Sequence, residues 1–277
     1  MRRGRLIVGL VMAIIALVSY YGYRETNPIT GEKQHVAMSQ EQEVALGLQA
    51  APQMAEQFGG LHPDANLQSL VKGTGHRITQ QSAVNSSAYE FSFNLLRDPE
   101  TVNAFALPGG PIFVTAALLG RLETEAQLAG ILGHEIGHIV ARHSAEHMAK
   151  SHLAQLLVGA VGVAATDEEH PGRGQQAAAV AAFVSQMVTL RYGRKDELES
   201  DRLGVRLMSE AGYDPRAMLG VMRILAESSK GGRPPEFLSS HPDPGNREEE
   251  IEAAIAERYP QGVPAELTMG RAFGRSR

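Results

Sequence analysis

The chain is expected to fold as an α+β domain, mainly α, with a small β-sheet and an N-terminal membrane segment ahead of it. Three observations predict this. The chain has 277 residues, 43% of them hydrophobic, enough to bury one large core, and helix signals recur along it. The period changes to two at Tyr89, Phe91, Phe93 and Leu95, which alternate with Glu90, Ser92 and Asn94 as a half-buried strand does. At the N-terminus, Arg2, Arg3 and Arg5 precede an uncharged run from Leu6 to Tyr23 that Arg24 closes.

That run of 18 residues is just long enough to span a bilayer, and Tyr20, Tyr21 and Tyr23 suit an aromatic belt. Bulky aromatics stand where a cleaved signal carries small residues, so residues 1–24 read as an uncleaved anchor. Secretion after signal cleavage is the alternative, and a buried core helix a third. Arginines ahead of the run keep the N-terminus cytoplasmic, so the remaining chain is expected outside the cytoplasm, in the periplasm or cell envelope.

Residues 25–38, polar and interrupted by Pro28 and Gly31, read as a linker. The folded domain, residues 39–258, opens with Ser39 and Gln42 as a capping box for a helix through about Gln57, which Gly59-Gly60 end. A second helix is expected from about Pro63 to Gln81. After the strand, "TVNAFALPGGPIFVT" gives two short extended pieces joined at Pro108-Gly109-Gly110. Thr124 and Gln127 form a second capping box and open another helix. The apolar runs Leu153–Ala165 and Ala177–Leu190 are too short to span a bilayer and are expected as buried core helices. Helices follow from about Arg194 to Ala211 and from Asp214-Pro215, an N-cap with proline at the first helical position. Residues 259–277 carry no periodicity and read as a tail.

Composition removes some function classes. A formal net charge of -5, with no basic block and no interleaving of aromatic and basic residues, argues against a nucleic-acid partner. There is no cysteine, so disulfides and thiolate ligands are both excluded. Any metal must be held by His, Asp or Glu.

The helix after Thr124 reads "LAGILGHEIGHIVARH" and places two imidazoles and a carboxylate among Leu128, Ile131, Leu132, Ile136, Ile139 and Val140. Such groups are costly to bury without partners. His134 and His138, four apart, project side by side, with Glu135 about 100° round the helix. Two imidazoles so spaced can grip one zinc ion, and the carboxylate can reach the water at its open position. His-Glu-x-x-His also arises by chance on amphipathic helices, but a surface helix would not be aliphatic all round.

A zinc site needs a third protein ligand. The metzincin pattern would put glycine and histidine where Ala141 and Ser144 stand. On a continuous helix His143 lies about 140° from His138, and His147 is poorly aligned too. "RKDELESDRLGVRLM" offers Glu197 and Asp201, four apart on a face shared with Val205 and Met208. Glu197 is assigned as third ligand, with Asp201 accepting from a ligand histidine's other N–H. Glu199, about 200° away, is expected to be solvated. The alternative is that Glu197 and Asp201 pair with Arg194 or Arg202 on an exposed face.

The chain resembles the zinc metallopeptidase family that includes the HtpX heat-shock protease and the CAAX prenyl proteases, gluzincins with the His-Glu-x-x-His motif. The periplasmic, single-anchor branch represented by BepA and LoiP is nearest. The likeness rests on "NPITG", "NAFALPGGPIFV", "HEIGH", "RKDELESDRLG", "EAGYDP" and "HPDPGNR". It implies a zincin-like domain holding one zinc per chain through His134, His138 and Glu197, with Glu135 as catalytic acid/base and Asp201 in support. It implies further that Asn103, Ala104 and Phe105 border the substrate cleft, where an extended peptide could add to a sheet edge. His241 matches a family histidine near the zinc that either holds the site shut or steadies the oxyanion. Departures are small: Gly193 stands where serine is common and Ser200 where alanine is usual. The expected function is zinc-dependent endoproteolysis of protein or peptide substrates, misfolded envelope proteins in particular. The alternative is a membrane-tethered chaperone with a structural zinc.

Overall fold

The computed structural model describes residues 2–165, 192–229, 235–242 and 245–273. The N-terminal run forms helix α1 (Arg2–Gly22), with Ile7, Leu10, Ile15 and Val18 among its exposed side chains. Among the described residues, no helix is long and apolar enough to cross a membrane. The stretch read as a linker is instead a hairpin of β1 (Arg24–Thr26) and β2 (Lys33–His35). It is fixed by Asn27, whose Oδ1 accepts from the backbone N–H groups of Ile29 and Thr30, closing an Asx-type turn.

Helix α2 (Gln40–Gln57) has the predicted capping box at Ser39 and Gln42. Helix α3 (Ala65–Gln81) starts two residues later than expected, because Asp64 accepts from the N–H groups of Asn66 and Leu67 and so takes the N-cap position. A three-stranded sheet follows: β3 (Ser92–Leu96), β4 (Ala104–Ala106) and β5 (Pro111–Thr115), in the order β3-β5-β4. β3 runs parallel to the central β5, with Phe93 opposite Ile112, and β4 antiparallel, with Phe105 opposite Phe113. Among the described residues no strand pairs with the outer edge of β4. The turn at Gly109 and Gly110, with φ 81° and 139°, passes so close to α2 that a Cβ at Gly47 would stand 2.0 Å from Pro108 O. Glycine at that helix position is a packing requirement.

After a short turn of helix, α4 (Ala116–Leu119), the motif helix α5 (Glu125–Val140) runs through the centre, buried from Ala126 to Val140. Its capping box at Thr124 and Gln127 is as predicted. It lies against α7 (Arg194–Glu210) and α8 (Ala217–Ser229). A Cβ on Gly133 would meet Gly204 O at 3.2 Å, and one on Gly137 would meet Ser200 Cα at 3.1 Å. Small residues on both helices thus let the two backbones touch.

Two expectations need correction. The run Leu153–Ala165 is not an element of its own but the distal part of helix α6 (His143–Ala165), which packs against α1, with Ala154 and Leu156 exposed and Ala160 buried. Arg142, with its left-handed backbone (φ 60°), ends α5 and redirects the chain before α6, whose first residues His143, Ser144 and Ala145 are buried. The second run, Ala177–Leu190, lies outside the described residues. The region beyond Arg258, read as an aperiodic tail, returns after α9 (Glu236–Ser240) and α10 (Arg247–Arg258) to the start of α5. There Arg271 O accepts from Glu125 N at 2.9 Å and Met269 O from Ala126 N at 3.0 Å. These carbonyls satisfy first-turn N–H groups that a helix leaves without internal partners.

Candidate metal centre

α5 projects His134, Glu135 and His138 into a space closed by α7 and the end of α9, where each is no more than 2% exposed. His134, His138, Glu197 and His241 are all buried and offer donor atoms within 4.8 Å of one another. The Nε2 atoms of His134 and His138 are 3.0 Å apart, and each lies 3.5 Å from a Glu197 oxygen. Ligands about 2.0–2.2 Å from a tetrahedral zinc would stand roughly 3.4 Å from each other. The donor set and its spacing fit the ion. His241 adds a fourth corner, with Nδ1 3.3 Å from His134 Nε2 and 3.1 Å from Glu197 Oε1.

The far sides of the ligands are equally specified. His134 Nδ1 is 2.8 Å from Asp201 Oδ1, and Arg247 donates to both Asp201 oxygens, Nε to Oδ2 at 2.7 Å and Nη2 to Oδ1 at 2.8 Å. Arg247 Nη1 also stands 3.2 Å from Glu197 Oε2, so one guanidinium braces both acids of α7. The His138 ring stacks on Tyr192 at 3.9 Å between centroids. The His241 ring stacks on Phe237, 4.5 Å away.

Burial and neighbouring charge set the protonation states. Burial lowers His138 well below the usual imidazole value, which leaves the neutral ring a metal requires. Burial alone would raise Glu197, but the His241 charge and the hydrogen bonds of His138 and His241 outweigh it and hold the carboxyl far below its ordinary value. Asp201 is pulled down to about 2, its burial outweighed by Arg247 and by hydrogen bonds from Arg247 and His134. Glu135 moves the other way, raised by burial. Both its oxygens lack a hydrogen-bond partner among the described residues, with His241 Nε2 3.5 Å from Oε1. A buried carboxyl of this kind calls for water or substrate beside it.

The residues singled out from the sequence thus come together: His134, Glu135, His138, Glu197, Asp201 and His241. Glu197 and Asp201 pair with Arg247 rather than with Arg194 or Arg202, which reach Asn246 and Glu250. Asn103 and Ala104 are buried and Phe105 half-buried, with Ala104 and Phe105 in the edge strand β4. Val102 O, just before that strand, accepts from Phe237 N at 3.1 Å, which ties α9, the helix that ends at His241, to the start of the edge strand. Glu199 is a correction: it is half-buried, and its Oε2 lies 3.4 Å from His143 Nε2, because the turn at Arg142 brings α6 back toward α7. Arg247 and Tyr192 were not found from the sequence. The only signal was that arginine closes the "HPDPGNR" motif just ahead of three glutamates.

Residues 63–255 match the sequence profile of peptidase family M48. The beta-barrel assembly-enhancing protease of Escherichia coli strain K12 is 30% identical over 229 residues, which cover 80% of this chain and 46% of that protein. Its counterpart in Yersinia pestis is 30% identical over 79% of this chain and 45% of its own length. The mitochondrial metalloendopeptidase OMA1 of Schizosaccharomyces pombe is 31% identical, over 87% of this chain and 69% of its own. The chain spans less than half the length of the two bacterial proteases.

Proposed function

The chain belongs to peptidase family M48, and from that premise we propose that it is a zinc-dependent endopeptidase with Glu135 as general base. The observation that carries this reading is the convergence of His134, His138 and Glu197 on one buried point beside a carboxyl without a hydrogen-bond partner. One zinc per chain would be held by those three side chains. When bound, zinc supplies Lewis acidity toward the scissile carbonyl and lowers the pKa of its water to about 7. Glu135, whose pKa burial raises, takes the proton of the attacking water and returns it to the leaving amine. Asp201 and Arg247 keep His134 oriented. An extended substrate adds its backbone to the outer edge of β4, where no described strand pairs, beside Asn103, Ala104 and Phe105.

Protein substrates, misfolded envelope proteins among them, fit this reading. The bacterial relatives are named for β-barrel assembly and the yeast relative for mitochondria. The arginine-flanked apolar α1 would attach the domain to a membrane, with the metal centre outside the cytoplasm. The test of the mechanism is Glu135→Gln, which is expected to bind zinc as the wild type does while cleaving no casein. Undiminished proteolysis in that variant refutes the assignment.

One observation favours a second reading. His241 completes a four-donor set, and closed four-donor sites are the structural kind. A tethered chaperone with a zinc staple would look like this. Under the peptidase reading His241 instead holds the site shut until substrate displaces it. His241→Ala then raises chelator-sensitive cleavage of an unfolded protein, whereas a chaperone cleaves nothing in either form.

A further inference from the structure

We infer that His143 is a positioning residue for the metal centre: its Nδ1 accepts the Nδ1–H hydrogen bond of His138 and so fixes the tautomer that presents His138 Nε2 to the ion. This rests on the proposed zinc reading but concerns metal affinity, independently of what the centre hydrolyses. A neutral imidazole has one N–H, so if Nε2 carries the lone pair to a metal, Nδ1 must carry the proton. At His138 that N–H is fully buried and needs an acceptor. His143 Nδ1 lies 3.0 Å away.

The rest of the chain of contacts agrees in polarity. With Nδ1 accepting, His143 carries its proton on Nε2, which faces Glu199 Oε2 at 3.4 Å and Asp196 Oδ1 at 4.0 Å. Glu199 is therefore linked to the ligand through a second imidazole, while Asp196 stands farther off, its Oδ2 2.8 Å from His147 Nε2. Ser200 Oγ also lies near His143 Nδ1, but farther off at 3.3 Å. His143 is 2% exposed and its ring meets that of His138 edge to face, at 72°. The backbone makes this possible. On an unbroken helix His143 would point about 140° from His138. Arg142, with φ 60°, breaks the helix between them and swings His143 back beneath the ligand. The Arg142 side chain holds that turn through Glu43 Oε1 at 2.6 Å, Met38 O at 2.6 Å and Glu25.

The two ligand histidines thus have unlike supports. His134 is backed by a carboxylate that Arg247 clamps, while His138 is backed by the His143 ring. Partners of ligand histidines typically contribute 10- to 100-fold in metal affinity.

The experiment measures Zn2+ affinity of the full chain by competition with a chromophoric chelator, alongside the visible spectrum of the Co2+-substituted protein. His143→Ala is expected to bind Zn2+ about 10- to 100-fold more weakly. His143→Asn, whose side-chain oxygen can stand where Nδ1 did, is expected to recover most of that loss and the wild-type Co2+ spectrum. Wild-type affinity in His143→Ala overturns the inference. So does an equal loss in both variants, since that would mark a packing role. A wild-type protein that binds Zn2+ tightly but cleaves nothing removes the endopeptidase reading and leaves this inference intact. One that binds no Zn2+ removes both.

Discussion

At the scale of single residues, spacing carried information only where partners share a helix. His134, Glu135 and His138 could be recognised because one turn of α5 determines their relative directions, and Glu197 and Asp201 because a four-residue step puts both on one face of α7. Arg247 and Tyr192 touch those residues across long stretches of chain, so no local period announces them. Glu199 failed for a different reason: the helical wheel placed it correctly relative to Glu197, but nothing local revealed that α6 would cover that side. The metal assignment is testable here. Glu197→Ala should purify with less zinc, because it removes one donor and its negative charge from the set, whereas Glu199→Ala acts only through His143 and should still bind one equivalent. Metal analysis of the two proteins decides, and equal zinc content in both would remove Glu197 from the ligand set.

Elements were legible where their ends carry chemistry of their own. The capping boxes at Ser39 and Thr124 and the turn at Gly109-Gly110 fixed three boundaries, since each satisfies a backbone need locally. The start of α6 was not legible, because nothing in the sequence announces the left-handed backbone at Arg142 that separates it from α5. The geometry that matters most for the site is the contact of α5 with α7, where Gly133 and Gly137 face Gly204 and Ser200. A Cβ on Gly204 would already lie 3.2 Å from the backbone nitrogen of His134. Gly204→Val should therefore push the helices apart at the level of the ligands. Overpacking of this kind costs about 1–3 kcal/mol, which thermal denaturation would register. Zinc affinity should fall with it, since Glu197 rides on the displaced helix. A variant with wild-type melting temperature and wild-type zinc affinity would show that the close approach is incidental.

Across the whole molecule, α5 is held at both ends by segments remote in sequence. Asn27 in the N-terminal hairpin donates to Val140 O at 2.7 Å, and the returning C-terminal segment accepts from Glu125 and Ala126. Neither contact could be read from the sequence, because each joins a polar, aperiodic stretch to a helix more than 100 residues away. The helix is thus positioned by the rest of the fold, while the donors it shares with α7 and α9 are buried near one another. Closely placed buried donors are unfavourable until something neutralises and coordinates them. Zinc should accordingly stabilise the whole domain by binding the native state alone, by RT ln(1 + [Zn]/Kd), or about 2.7 kcal/mol at a hundredfold excess over Kd. Thermal melts of the wild type should shift upward with added zinc and downward with chelator, whereas in Glu197→Ala the shift between the two should be smaller. A wild-type melt that ignores chelator would separate the metal from the folding equilibrium, and with it the claim that these helices converge on a single ion.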